Sequence, residues 1–378
     1  MSRTLVVTND FPTRRGGIET FVLALCQQLP PTEVVVYTAS MPGAAAYDAE
    51  LAFPVHRDPT SMLLPTPRIA ARVERVLRET GCDRVLFGAS APLGLLAGRL
   101  RQAGARRVVA LTHGHEVWWA RTPGARQALH RIGEDCDVLT YVSAWCRDRI
   151  APALSTGAAA RMQQLSPGVD PERFRPGCGG DEVRRVWGIP VGAPVVVCTA
   201  RMVPRKGQDV LLESWPMVRA RVPEARLLLV GDGRHRRALG RAAAGLGGAA
   251  ARSVVFTGSV PWSRMPAHTD AGDVYAMPCR TRLAGLEPEA FGIVFLEAAA
   301  CGLPVLVGGS GGAPETVVDG ETGHVVPPRD AGVMADRLVE LLSDPARARA
   351  MGSRGRERVV DAWTWRHAGD RLREVLEV

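Results

Sequence analysis

Lysine is almost absent from this 378-residue chain: of its 47 basic residues, only Lys206 is not arginine. A GC-rich genome produces such a bias without structural cause, but it makes the place of Lys206 worth following. The eight cysteines, at 26, 82, 136, 146, 178, 198, 279 and 301, form no Cys-x-x-Cys. That excludes the usual zinc spacings and is unlike a disulfide framework, so a reducing cytosol suits the chain. No apolar run reaches the length of a membrane span, and residues 1–10 lack the order of a secretory signal. Any membrane contact is therefore expected to be peripheral. Aromatic residues make up 5% and do not interleave with basic ones, which argues against nucleic acid as a partner. No Gly-x-x-x-x-Gly-Lys-[Ser/Thr] occurs, against a P-loop ATPase, and Gly231-Asp-Gly233 begins a dinucleotide fingerprint that Arg236 leaves incomplete.

What is present is an ordinary soluble composition, 46% apolar and 23% charged with a net charge of +8, in a chain long enough for two domains. Short β-type runs alternate with amphipathic helical patterns, the signature of parallel sheets with crossover helices. They fall into two sets of similar size around Ser166-Pro-Gly-Val-Asp-Pro and the Pro- and Gly-rich residues that follow. The pattern predicts an N-terminal domain at 1–166, a linker region at 167–190, a second domain at 191–362, and a terminal helix at 363–378 that packs back on the first domain.

Several predicted strands run into polar, glycine-bearing loops that open helices, where ligands bind in open α/β sheets. After Asp273-Val-Tyr-Ala-Met-Pro278, the helix start near Phe291 is bracketed by Glu289 and Glu297. Unpaired N–H groups at a helix start favour an anion. A carboxylate on either side would repel a bare phosphate but suits a ligand carrying hydroxyls beside its phosphates, which points to a nucleotide sugar. Arg201 and Lys206, in another such loop, have the reach to grip a diphosphate, one as a fork and one as a point charge. Gly16 and Gly17, with Arg14 and Arg15 before them, allow close backbone approach at the first turn. Thr112-His113-Gly114-His115-Glu116 follows a strand, but its spacing is poor for zinc; a His near a sugar, through its ring or its carbonyl, fits better. Residues 62–80 join an apolar, Pro-bounded segment to a helix with Arg68, Arg72 and Arg75 on one face. That helix is either an ordinary surface helix or a contact for an acceptor or an anionic bilayer.

Together these turns resemble the retaining GT-B glycosyltransferases of family 4. Gly16-Gly17, Arg201, Lys206 and Glu289-x7-Glu297, the last inside Glu-Ala-Phe-Gly-Ile-Val-Phe-Leu-Glu-Ala, carry the likeness over nearly the whole chain. It implies an α/β fold of two Rossmann-like domains whose parallel sheets face each other across a cleft. It also implies catalysis without metal or cofactor, with His113, Arg201, Lys206 and Glu289 catalytic and His115 as the second choice to His113. Donor contacts would come from Gly16, Gly17, Arg201, Lys206, Glu289, Phe291, Gly292, Ile293, Val294 and Glu297, with Glu289 on the sugar and Glu297 on the ribose. Within the family, Val-Thr-Asn-Asp-Phe-Pro, Leu-Pro-Thr-Pro, Val-Pro-Arg-Lys-Gly-Gln-Asp and Met-Pro-Cys-Arg-Thr-Arg are most similar to actinobacterial enzymes that move mannose from GDP-mannose to phosphatidylinositol mannosides. The implied partners are a nucleotide-sugar donor, a glycolipid acceptor and the inner face of the cell membrane, with a cytoplasmic location. A soluble natural-product acceptor is the alternative, and a Rossmann-type NAD enzyme a remoter one. Leu283-Ala-Gly-Leu-Glu-Pro stands where a more glycine-rich loop is expected.

Overall fold

The structure, a computed structural model, describes residues 2–14 and 16–377. Arg15, the second arginine before Gly16, and Val378, the last residue expected in the terminal helix, lie outside the described residues, as does Met1. The chain forms two compact units, Met1–Pro167 with Trp365–Val378, and Gly168–Thr364.

The first unit holds β1 (Thr4–Thr8), β2 (Val34–Ala39), β3 (Val55–Asp58), β4 (Arg84–Phe87), β5 (Arg107–Ala110), β6 (Val138–Tyr141) and β7 (Gln163–Gln164). They pair in parallel in the order β3-β2-β1-β4-β5-β6-β7. The second holds β8 (Val195–Thr199), β9 (Arg226–Val230), β10 (Val254–Gly258), β11 (Val274–Met277), β12 (Val305–Gly308) and β13 (Gly323–Val326). Their order is β10-β9-β8-β11-β12-β13, again all parallel. The central strands β1 and β8 are buried at every residue, which is why they read as unbroken apolar runs. Apolar patterning marks all the strands except β3, β7 and β13. β3 and β7 close the two edges of the first sheet and β13 one edge of the second; edge strands tolerate the polar residues of Val-His-Arg-Asp, Gln-Gln and Gly-His-Val-Val. In each unit the strand order reverses beside the first strand, between β1 and β4 and between β8 and β11. Ligands of open parallel sheets bind at the carboxyl ends of strands at such a switch point.

The helix Trp365–Leu376 packs in the first unit against the helix Gly17–Gln27 and β5. Leu372, Val375 and Leu376 are buried, Arg107 Nε donates to the Val375 carbonyl at 3.0 Å, and an Arg373 guanidinium N–H to that of Gln28 at 2.8 Å. The Pro- and Gly-rich residues after 167 are not slack. The N–H groups of Gly177, Gly179 and Gly180 all donate to the Asp270 carboxylate at 2.7–3.1 Å. The helix Gly180–Val186 then packs on the helix Met265–Asp270. Composition alone marks a linker at 167–190; its glycines serve close packing inside the second unit.

Candidate active site

In the second unit, the loops after β8, β11 and β12 meet at the carboxyl edge of the sheet. Lys206 ends a single tight turn, Pro204–Lys206, before the helix Gln208–Arg221. Gly207 links them at φ +76°, where a Cβ would lie 2.0 Å from the Pro278 carbonyl oxygen, so only glycine lets the β8 loop rest on the β11 loop. Two further ties join these loops. Arg280 donates both guanidinium N–H groups to the Asp209 carboxylate at 2.9 and 2.7 Å, and Arg205 donates to the Pro288 carbonyl at 3.1 Å. With the loops fixed, Lys206 Nζ stands 2.7 Å from Glu289 Oε2, both side chains about nine-tenths buried. The Glu289 backbone is itself gripped by the β12 loop. Its N–H donates to Ser310 Oγ at 3.2 Å and its carbonyl accepts from Gly312 at 3.0 Å. Burial pushes the Glu289 carboxyl up, but Lys206, then Arg205 and Arg201, outweigh burial and hold it below the usual carboxylate range. The pair is therefore charged on both sides. Arg201 is exposed at the mouth of the same loop.

The helix Ile293–Ala300 opens at Gly292, φ +88°, with no side-chain cap. Its first N–H groups have no carbonyl a turn earlier, and Ile293 and Val294 are half-exposed. One turn in, Glu297 is buried and its Oε2 has no hydrogen-bond partner among the described residues. Burial raises its pKa to about 8, against the pull of Arg173 and then Lys206. A buried carboxylate oxygen with no donor suits a ligand that carries a hydroxyl. A donor that binds the ionised form must displace a proton below about pH 8. Apparent affinity for a nucleoside diphosphate is therefore expected to rise with pH up to that value, with proton release in calorimetry run in buffers of different ionisation enthalpy. Proton uptake would contradict this role for Glu297.

Phe291 is a different matter. Its ring packs 5.4 Å from that of Trp363, so of this expected donor contact only the backbone faces the helix start. Gly231 and Gly233 are explained as well. A Cβ on them would lie 2.3 Å from the Ala200 carbonyl oxygen and 2.5 Å from that of Met202, so they serve loop packing, and no dinucleotide fingerprint is needed to account for them. In the loop where more glycine is expected, Leu283 and Ala284 themselves take φ of 50° and 52°.

In the first unit, the loop after β5 is held by one group. Glu116 is fully buried, and its carboxylate accepts from the His113 N–H at 3.0 Å, the Gly114 N–H at 3.1 Å and Ser90 Oγ at 3.0 Å, with His115 Nε2 at 3.2 Å. His113 Nε2 lies 2.6 Å from the Gly88 carbonyl oxygen and the ring meets the edge of Phe21. Burial lowers the His113 pKa, so the ring is neutral with its Nε2–H donated to Gly88. Only Nδ1 and the backbone carbonyl remain for a ligand. Sequence spacing offers Glu116 only as a third metal ligand; the structure makes it the clamp of the loop. Glu116→Gln keeps one oxygen for the His113 and Gly114 N–H groups but turns a donor toward Ser90 Oγ and His115 Nε2 in place of the acceptor they now face. It is expected to cost about 1–3 kcal/mol of stability and to lower turnover, read from urea melts and initial rates. Gly16 is extended, at φ 175°, with Glu19 packed close beside it, and Gly17 has open space where a side chain would stand.

Of the three arginines on the helix Pro67–Glu79, Arg72 is committed: it donates to both oxygens of the buried Asp58 at 3.0 and 2.9 Å. Arg68 and Arg75 are exposed. Just before the helix, Leu63 is buried and gripped by the Asn9 amide through its N–H and its carbonyl, which leaves Met62 and Leu64 about half exposed on either side. Asp209, Arg280 and Ser310, which hold the Lys206 and Glu289 loops in place, escape a motif reading because their partners are distant in sequence.

Residues 180–358 match the profile of "Glycosyl transferases group 1" and residues 15–173 that of "Glycosyltransferase Family 4". The chain is 49% identical to the GDP-mannose-dependent alpha-(1-6)-phosphatidylinositol monomannoside mannosyltransferase of Mycolicibacterium smegmatis, over 98% of this chain and 97% of that protein. It is 44% identical to the GDP-mannose-dependent monoacylated alpha-(1-6)-phosphatidylinositol monomannoside mannosyltransferase of Corynebacterium glutamicum, over 99% and 98%. Among solved structures, Anabaena HepE in complex with UDP superposes with a TM-score of 0.82 at 19% identity, covering 100% of this chain and 99% of that one. Sucrose-phosphate synthase from Thermosynechococcus elongatus gives 0.78 at 22%, covering 99% and 98%. These two show the fold, which is GT-B.

Proposed function

Since the chain belongs to glycosyltransferase family 4, we propose that it moves mannose from GDP-mannose to a phosphatidylinositol mannoside, through an α-1,6 bond and with retention at the anomeric carbon. The observation that carries the chemistry is the buried Lys206–Glu289 pair beside the helix start at Gly292. Lys206 and Arg201 stabilise charge on the departing nucleoside diphosphate, helped by the N–H groups of the helix start. Glu289 accepts hydroxyls of the transferred sugar and Glu297 those of the ribose. The diphosphate itself helps to take the acceptor proton as the acceptor attacks from the leaving-group face. By resemblance to the family, we assign His113 a role toward the transferred sugar, through Nδ1 or its carbonyl, and the Gly17 N–H one toward the phosphates. The cations of the loop are assigned the charge neutralisation at the diphosphate, and turnover is expected to survive a chelator; loss of activity with EDTA, restored by a divalent cation, would overturn this.

The base and sugar are tested by a thermal-shift screen of GDP-, UDP- and ADP-sugars. GDP-mannose giving the largest stabilisation supports the reading, and a preference for UDP-sugars overturns the mannose assignment while leaving the fold.

The acceptor is a lipid, and Met62 and Leu64 with Arg68 and Arg75 are the surface we assign to it at the inner face of the membrane. No helix among the described residues is long and apolar enough to cross a bilayer. Each arginine near an anionic surface contributes about 1 kcal/mol. Replacing Met62 and Leu64 by Glu is expected to weaken cosedimentation with phosphatidylinositol-containing vesicles severalfold, with GDP binding unchanged. Unaltered sedimentation would place the contact elsewhere.

A further inference from the structure

Arg57, on the polar edge strand β3, ties three separate segments of the first unit together. Its Nε and Nη2 donate to the two carboxylate oxygens of Asp48 at 2.9 and 2.8 Å. Its Nη1 donates to the Ala39 carbonyl, at the end of β2, at 3.0 Å, and Nη2 donates again to the Pro12 carbonyl. The guanidinium carbon also stands 5.7 Å from the centre of the buried Phe11 ring. Both charged side chains are largely out of water, Arg57 at 12% exposure and Asp48 at 15%. Successive strand residues point to opposite faces. The next residue, Asp58, holds Arg72 of the helix Pro67–Glu79, whereas Arg57 holds the loop that follows β1.

Pro12 lies in that loop, between β1 and the helix Gly17–Gln27. The sheet does not need the tie, since β2 and β3 pair through their backbones from Val36 and Val55 to Ala39 and Asp58. At the far end of the loop, side-chain packing does not hold the chain: Gly17 has open space where a side chain would stand. The course of the loop is set by ties nearer β1. These are the Arg57 grip on Pro12, Thr13 Oγ1 donating to the Pro42 carbonyl at 2.9 Å, and the turn in which the Arg14 N–H donates to the Phe11 carbonyl at 3.3 Å. The Thr13 bond is exposed to water, and a charge-assisted bond shielded from water is the stronger of the two.

We propose that Arg57, aimed by Asp48, is a positioning residue for the donor. By holding the Pro12 carbonyl it fixes the β1 loop, so that the Gly17 N–H stands in place before the donor arrives. This rests on the assignment of the Gly17 N–H to the donor phosphates. A group already in place loses no ordering entropy on binding, so removal of the tie falls on donor affinity and leaves the chemical step to the Lys206 and Arg201 loop. Lysine is no substitute. A point charge beside Asp48 cannot keep the reach of a planar fork to both Asp48 oxygens and to the Pro12 and Ala39 carbonyls.

The test compares the full chain with its Arg57→Ala and Arg57→Lys variants by amide hydrogen exchange and by calorimetric titration with GDP. UDP is the second probe, so that a wrong base does not hide the effect. In the wild-type chain the nucleotide is expected to slow exchange in the peptide spanning residues 9–17. Arg57→Ala should speed exchange of that peptide in the absence of nucleotide and weaken nucleotide binding about tenfold at unchanged stoichiometry. Donor KM should rise in step while kcat is nearly kept. Arg57→Lys retains a cation beside Asp48, guards against a variant that fails to fold, and should fall in between. An arginine that serves only the fold would instead lower stoichiometry and kcat with Kd and KM unmoved, and that result overturns the proposal. So does unchanged exchange in both variants. Protection of residues 9–17 in the wild type with unaltered affinity in the variants overturns the role of Arg57 alone. A wild-type chain that binds neither nucleotide, or binds one without protecting residues 9–17, removes the Gly17 assignment and this inference with it.

Discussion

Lys206→Ala is expected to lower kcat/KM by about 10²- to 10³-fold, the usual cost of deleting one preorganised donor to a developing negative charge. The chain's single lysine is held where a compact cation is needed, between the loops of β8 and β11, with Nζ 2.7 Å from Glu289. The substitution has a second consequence that must be separated from the first. It leaves the Glu289 carboxylate buried without its nearest cation, and an unpaired buried charge destabilises by about 3–5 kcal/mol. Combining Lys206→Ala with Glu289→Gln removes both charges and should return much of the lost stability in urea melts. Turnover should not return with it. A double variant that is stable and active would mean that the lysine matters only as a structural counter-ion. Lys206→Arg is expected to rescue stability better than rate, because a planar fork cannot replace a point charge in so small a space.

Glu289→Gln carries the second large effect. The side chain keeps its size but loses the charge, so the cost falls on whatever the carboxylate accepts from. Assigned to the transferred sugar, Glu289 should matter to turnover far more than to the nucleotide: kcat is expected to fall by about 10² or more, with GDP affinity changed only a few-fold. An equal loss of GDP affinity would move Glu289 off the sugar. The pH behaviour gives a further check. Because Lys206, Arg205 and Arg201 overcome burial and lower the Glu289 pKa, the group is ionised through the neutral range. Its contribution to stability is present above the ordinary carboxylate pKa and is lost as pH falls through its lowered one. In the Gln variant that acid-limb loss of stability should shrink.

These effects turn on residues that were legible to very different degrees. Glu289-x7-Glu297 could be read from sequence because the two carboxylates share one helix start, where local spacing is geometry. Lys206 was legible through its rarity and its place after a strand. The strands of the two parallel sheets were legible in apolar runs such as Thr4–Thr8 and Val195–Thr199, which are apolar because both faces are covered, whereas their order emerges only from the pairing. The edge strands β3, β7 and β13 left no such trace. Nor could Glu116 be recognised as the clamp of the His113 loop: the His113 and Gly114 N–H groups are its sequence neighbours, but Ser90 reaches it only once β4 and β5 pair. Arg72 shows the opposite failure. Its position on a basic helix face suggested solvent or lipid, but burial of Asp58 at the end of β3 captured it. Residues 167–190 were misleading for a similar reason, since glycine and proline mark tight packing on Asp270 as readily as slack.

The central claim is that this site transfers mannose to a lipid-linked mannoside. It is tested most directly by incubating the full chain with radiolabelled GDP-mannose and either phosphatidylinositol monomannoside in vesicles or water-soluble inositol and aminocyclitol acceptors. Label should pass to the lipid alone, in a product whose one-bond C1–H1 coupling is that of an α-mannoside, the configuration of the donor. Label on a soluble acceptor without the lipid, or a product of inverted configuration, would contradict the account.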